Sequence, residues 1–310
     1  NLAGYAPLGF LLALALLRTH WPSAAVPAAA LAGALLSLSM EFLQIYLPRR
    51  VPSNMDLGLN AAGALLGALV AALLERLGAI SHWSRFRERW FVPQARGALV
   101  LLALWPWALL FPAALPLGLG QVWERLEAAL ADVLEGTPFS AWLPAVDLAL
   151  EPLSPGGELL AVALGLLIPC LLGFCIMRHM GRRMLLALSA LAVGVAATAL
   201  SALLSYGPAH AWEWLTPATA IGLGVGLAAA LGLATLPRRG CAAVLLLVLM
   251  LHLNLLNQAP TNAYFAQTLQ AWEQGRFIRF YGLGQWLGWL WPYAALLYVL
   301  LRVSRRDVQS

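Results

Sequence analysis

The 310-residue chain is 61% hydrophobic and only 11% charged, where soluble domains carry roughly 25% charged residues. A soluble globular fold is therefore excluded, and apolar runs of about 20 residues recur along the chain, each long enough to cross a bilayer of roughly 30 Å. The net charge of +5 comes entirely from arginine and gathers at the ends of those runs, so it speaks to membrane topology rather than to nucleic acid.

Taken in chain order, the pattern predicts an all-α, polytopic membrane helical bundle of about nine transmembrane helices. They lie near 3–17, 24–47, 56–77, 97–118, 157–177, 184–205, 215–236, 241–257 and 283–302. The chain opens on Asn1 directly into an apolar run, without a charged n-region or a small-residue cleavage site. No signal peptide is read there, and sequence upstream is expected. Cys170, Cys175 and Cys241 fall in apolar runs with no C-x-x-C or metal-ligand spacing, and read as core residues.

The connections alternate in charge. "ERLGAISHWSRFRERWFVPQAR" after the third run, "MRHMGRRM" after the fifth, "PRRG" after the seventh and "RVSRRD" after the ninth are rich in arginine. The 119–158 stretch is acidic. The positive-inside bias then puts Asn1 outside and Ser310 in the cytoplasm. Two external segments read as interfacial helices. "VWERLEAALADVLEG" places Val122, Leu126, Leu130 and Val133 on one face, and "AYFAQTLQAWEQGRFIRF" is rich in aromatics suited to the headgroup boundary.

The second run ends in "EFLQIYLPRRVPSNMDLGLN", residues 41–60. Pro48 stops that helix. Ser37, Glu41 and Gln44 are four and three residues apart and share one face. On the third run Asp56, Asn60, Gly63 and Gly67 form one stripe, polar at its outer end, with a G-x-x-x-G pair further in. A charge at membrane depth costs roughly 2.5–3.5 kcal/mol on insertion scales, so Glu41 is expected to face the bundle and have a partner. A short antiparallel hairpin would bring the two stripes together. Arg49 and Arg50 lie in the connection above them and could satisfy Glu41 or Asp56 through a two-point contact.

In this stretch the chain resembles the VanZ-like membrane family. The resemblance rests on Glu41, Gln44, Pro48, Arg50, Asp56, Asn60, Gly63 and Gly67 at the family's intervals, and on "GYAPLGFLL" in the first run. It covers residues 1–78. The family is associated with low-level teicoplanin resistance, so the resemblance implies a multi-pass protein of the bacterial cytoplasmic (inner) membrane with an envelope role. It implies no settled reaction and no cofactor.

A second, degenerate copy is legible downstream in "SALLSYGPAHAWEWLTPATAIGLGVGLAAALG". Tyr46 and Pro48 align with Tyr206 and Pro208; one deletion later Asn60, Gly63 and Gly67 align with Thr219, Gly222 and Gly226. Pro7 is matched with Pro169, whereas Glu41, Gln44 and Asp56 fall on Ser201, Leu204 and Leu215. The expected organisation is a VanZ-like unit over 1–80 and a linker, one span and the external amphipathic segment over 81–154. A degenerate second unit follows over 155–237, then the C-terminal spans over 238–310.

A secondary polar set, His252, Asn254, Asn257 and Gln285, sits at the outer ends of the last two runs. It reads either as part of the same external cavity or as interhelical hydrogen bonding, worth roughly 0.6 kcal/mol each in a membrane; a lone histidine is no metal site. Three functions stay open. The constellation could bind or handle an anionic, polyprenyl-type lipid, with Arg49 and Arg50 on the phosphate. It could be a structural network in an assembly partner of envelope biosynthesis proteins. It could serve an intramembrane enzyme with Glu41 or Asp56 as general base, although no nucleophile–base pair, metal cluster or nucleotide loop is read. The expected partners are membrane lipids and envelope proteins, not nucleic acid.

Overall fold

The structure, a computed structural model, describes residues 2–19, 22–44, 54–111, 113–139, 153–259 and 278–304. These form eleven α-helices: α1 (Leu2–Leu16), α2 (Ala25–Gln44), α3 (Asn54–Arg76), α4 (Ala79–Trp90), α5 (Arg96–Leu109), α6 (Trp123–Leu134), α7 (Pro155–Phe174), α8 (Met180–Tyr206), α9 (Pro217–Leu233), α10 (Arg238–Leu256) and α11 (Ile278–Ser304). A helix stands at each of the nine expected positions, and the protein is a polytopic membrane bundle. Five helices are long and apolar enough to cross a membrane: Pro22–Leu43, Asn54–Arg76, Pro155–Phe174, Met180–Ser205 and Arg238–Leu256. The chain divides into two compact units, Asn1–Arg89 and Trp90–Ser310.

In the first unit α3 packs on both α1 and α2. The α1–α3 seam is made by small residues, because lipid tails provide no hydrophobic drive and close backbone approach must supply the attraction instead. Gly63 lies against the backbone of Leu2, Gly67 against the carbonyl of Ala6 and Gly9 against the backbone of Ala64. A Cβ at any of the three would collide with main chain, which cannot rotate away. Ala13, Ala29, Ala68 and Ala71 close the seam at its other end.

The second unit is built around α7. That helix is apolar all round and buried from Ala161 to Phe174, as a central helix must be; α5, α8, α9 and α10 pack against it. Ser154 caps its start by accepting from the Gly157 N–H (3.2 Å), and Pro155 occupies the first turn, where a missing N–H costs nothing. Thr216 and Pro217 start α9 in the same way, with Thr216 Oγ1 accepting from the Thr219 N–H (3.1 Å). The three cysteines are buried and free.

Two differences from the sequence reading have clear causes. The fourth span was expected over 97–118, but α5 stops at Leu109. Pro112 and Pro116 lack the N–H that would extend the helix and restrict the residues before them, and residues 117–120 instead run as irregular, buried backbone. Such backbone is tolerated in a membrane protein only where the protein itself satisfies it. Here the Gly120 N–H donates to the Gly288 carbonyl (2.9 Å), and the Gly120 carbonyl accepts from Tyr293 Oη (3.1 Å) and Asn257 Nδ2 (3.4 Å). Leu117 holds φ 60°, a strained value for a branched residue. The second difference is α4. The arginine-rich connection after the third run folds as a helix, with Arg85, His82 and Glu88 exposed and Trp83 stacked on Phe86 (5.6 Å between ring centroids).

Arg183 ties helix ends together in the second unit. It is 5% exposed. Its Nη1 donates to the carbonyls of Ala234 (2.9 Å) and Leu236 (2.6 Å), and its Nη2 to that of Met177 (3.1 Å). These are carbonyls at and beyond the C-terminal ends of α9 and α7, where no intrahelical donor remains and a cation is favoured by the helix dipole.

Candidate functional site

The α2–α3 hairpin sets the site. Two observed contacts fix its register. Gly33 meets the Ala64 side chain, and Asn60 Nδ2 donates to Ser37 Oγ at 2.9 Å. Each step of four along α2 is thus matched by a step of four back along α3. One further turn toward the connecting segment brings Glu41 opposite Asp56. Ser37 is fully buried, and Asn60 nearly so, at 9% exposure; Glu41 and Asp56 are half-buried, and each is engaged in a polar or electrostatic interaction. Asp56 also stands in the first turn of α3, where the helix dipole favours a carboxylate.

The arrangement is a graded stripe: Gly33–Ala64 contact deep in the hairpin, a buried hydroxyl–amide bond above it, and two carboxylates at the top. Gln44 ends α2; its side chain, together with Arg49 and Arg50, lies outside the described residues. Among the described residues no cluster of histidine, cysteine and carboxylate has the makings of a metal site.

Residues 1–75 match the VanZ/LLP1 family model. The match covers about a quarter of the chain and takes in all of the α1–α3 packing and the polar stripe. Among curated proteins and solved structures nothing matches. The VanZ-like unit is therefore the three-helix body described above, and the stripe Ser37, Glu41, Asp56 and Asn60 is its polar part.

A similar pair of glycine contacts occurs in the second unit. Gly222 lies against the Leu159 carbonyl, 2.7 Å from an added Cβ, and Gly226 against that of Ala163, at 2.8 Å. This is the relation that Gly63 and Gly67 bear to Leu2 and Ala6, four residues apart on a parallel helix in each case. In this register Leu2 corresponds to Leu159 and Ala6 to Ala163, which sets Pro7 against Leu164. The alignment of Pro7 with Pro169 is out of step with the contacts.

Where Asn60 stands in the first unit, the second has Thr219, fully buried. The sequence comparison finds no carboxylate on the aligned positions, but the structure supplies one from another helix. Glu158 Oε1 accepts from Thr216 Oγ1 at 2.9 Å and Thr219 Oγ1 at 3.0 Å. The signal available beforehand was Glu158 in the first turn of a helix, four residues after a Ser-Pro start.

The secondary polar residues divide. Asn257 is committed to the irregular segment before α6: its Oδ1 accepts from the N–H groups of Val122 (3.2 Å) and Trp123 (3.0 Å), and its Nδ2 donates to Leu253 O (2.7 Å) and Gly120 O. That is the work of a cap on α6, the amphipathic helix expected at 122–136. His252 is buried at 1% exposure, beside Gly165, with Nδ1 unpartnered among the described residues. Asn254 is exposed, and Gln285 is half-buried near the start of α11. The aromatic segment expected over 263–280 lies outside the described residues up to 277.

Proposed function

We propose that this protein sits in the cytoplasmic membrane of a bacterial envelope, with its C-terminus in the cytoplasm, and that its VanZ-like unit engages the phosphate of an anionic, polyprenyl-type lipid at the external face. The register of the α2–α3 hairpin carries this reading. Continued by one turn, it pairs Glu41 with Asp56 at the head of the hairpin, where the chain leads into the sequence that bears Arg49 and Arg50. Two carboxylates side by side away from bulk water repel, and a guanidinium between them relieves the repulsion while forking onto both. We assign that place to Arg50, six residues before Asp56. Arg49 is left for a headgroup phosphate. The stripe lies at the end of the helices, at headgroup depth, whereas solute transporters place their polar sites near the bilayer midplane.

A purely structural role, in a partner of envelope assembly, is the second reading, favoured by the buried Ser37–Asn60 bond. The two part on lipid retention. Anionic lipid co-purified with the full chain is measured by mass spectrometry, with protein yield, for three variants. Arg50→Lys lowers yield, because lysine lacks the planar two-point contact. Arg49→Lys is mild. Arg49→Glu keeps its yield and loses the lipid. Unchanged lipid in Arg49→Glu, with yield falling only for Arg50→Lys, leaves the structural role.

A further inference from the structure

A cavity of about 750 Å³ opens where the α7–α8 and α9–α10 connections come together, at the opposite end of the second unit from Glu158. Its lining includes Arg178, Arg183, Arg238 and Arg239, with Met180 and Thr235, and, among the described residues, no carboxylate. Arg178, Arg183 and Arg238 gather positive charge around one opening, and such a field is strongest inside a cleft. Arg183 sharpens the point. It is buried, at 5% exposure; among the described residues it donates to neutral carbonyls and a thiol, lies over the Phe174 ring, and has no hydrogen-bond partner for its Nε. The helix-end carbonyls offset part of that buried charge, but none of them is a counter-ion, and an anion at the mouth of the cavity would complete the balance.

The surroundings say which kind. Met180 stands at the rim, and Met184 and Leu188 follow it at helical spacing down α8. All three are exposed, at 48%, 38% and 50%. They make an apolar track leading from the basic cavity along a membrane-crossing helix. Phosphate oxygens match the guanidinium fork, the volume suits a headgroup, and the track suits an acyl chain. We infer that this cavity binds the phosphate headgroup of an anionic phospholipid, with one acyl chain laid along Met180, Met184 and Leu188. The site is separate from the VanZ-like stripe and does not depend on it.

The test uses the delipidated full chain in neutral detergent, titrated with phosphatidylglycerol, phosphatidylcholine or sodium phosphate and read by native mass spectrometry. Each interfacial guanidinium contributes roughly fivefold to anionic-lipid affinity, so Arg178→Gln with Arg238→Gln should weaken one phosphatidylglycerol by about 30-fold. Both side chains are exposed at helix ends, and an unchanged melting temperature verifies that the fold survives; Arg238→Gln alone, at about fivefold, serves if the double variant is unstable. Phosphatidylcholine should bind equally in wild type and variant. Arg85→Gln with Arg87→Gln on α4, and Arg49→Glu, should leave this lipid in place. Unchanged phosphatidylglycerol affinity in the cavity variants overturns the inference. Displacement of the lipid by sodium phosphate at equal concentration overturns the lipid assignment.

Discussion

Replacing Gly67 by alanine adds one methyl group to the α1–α3 seam. The new Cβ would fall on the Ala6 carbonyl and 2.8 Å from the Phe10 nitrogen. Both are main-chain atoms of α1, so no rotamer change relieves the clash and the helices must part. Overpacking of this kind costs typically 1–3 kcal/mol, and rigid backbone neighbours put Gly67 at the upper end. Alanine regains about 1 kcal/mol of helix propensity over glycine. The net expectation is a loss of about 2 kcal/mol, or roughly 30-fold in the folding equilibrium. Gly58 in the same helix has open space where a Cβ would go, so Gly58→Ala should be neutral or slightly stabilising. The assay is unfolding of the full chain in mixed micelles on titration with a denaturing detergent, followed by a fluorophore in the first unit. Coincident curves for Gly67→Ala and Gly58→Ala would refute the close-packed seam. Gly226→Ala, which meets Ala163 main chain, should destabilise in the same direction.

Arg183→Met should destabilise the second unit by roughly 3 kcal/mol or more, since three buried carbonyls lose their donor at about 1–3 kcal/mol each; a melting temperature within error of wild type would contradict the bridging role. Asn257→Ala removes the acceptor for the Val122 and Trp123 N–H groups. It should cost about 1 kcal/mol, as loss of a helix cap does, with faster amide exchange confined to the first turn of α6. Glu41→Ala should lower accumulation of the protein more than Glu88→Ala, because Glu41 is half-buried in the hairpin whereas Glu88 is exposed on α4. Equal accumulation would place Glu41 outside any network.

How far the sequence anticipates these features depends on the physics behind each. The helices at the nine expected positions are legible because a bilayer imposes one length and one polarity on every crossing. The α2–α3 stripe is legible because Glu41, Asp56, Asn60 and the glycines repeat at helical spacing. Ser37 as the partner of Asn60 follows from that spacing only once the register is known. Glu158 escapes the alignment because its carboxylate comes from α7, whereas α1, which packs on the glycine stripe of the first unit, carries no charged residue. Arg183 escapes because a run of arginines at a helix start reads as topology, and nothing local says which of Arg178, Arg182 and Arg183 turns inward. The end of α5 is misjudged because 110–119 is apolar enough to continue a span; the prolines stop it, and only the tertiary partners at Gly120 make buried irregular backbone tolerable.

The central claim is that α2 and α3 pair in the register that sets Glu41 against Asp56. Cysteine pairs introduced into the full chain measure it directly, since Cys170, Cys175 and Cys241 are buried. Under mild oxidation or a short bis-maleimide, Glu41→Cys with Asp56→Cys should cross-link. Phe42→Cys with Asp56→Cys should stay unlinked, because Phe42 is 58% exposed and lies about 100° around the helix from Glu41. Equal linking of both pairs, or linking through position 42 alone, would contradict the register and with it the carboxylate pair.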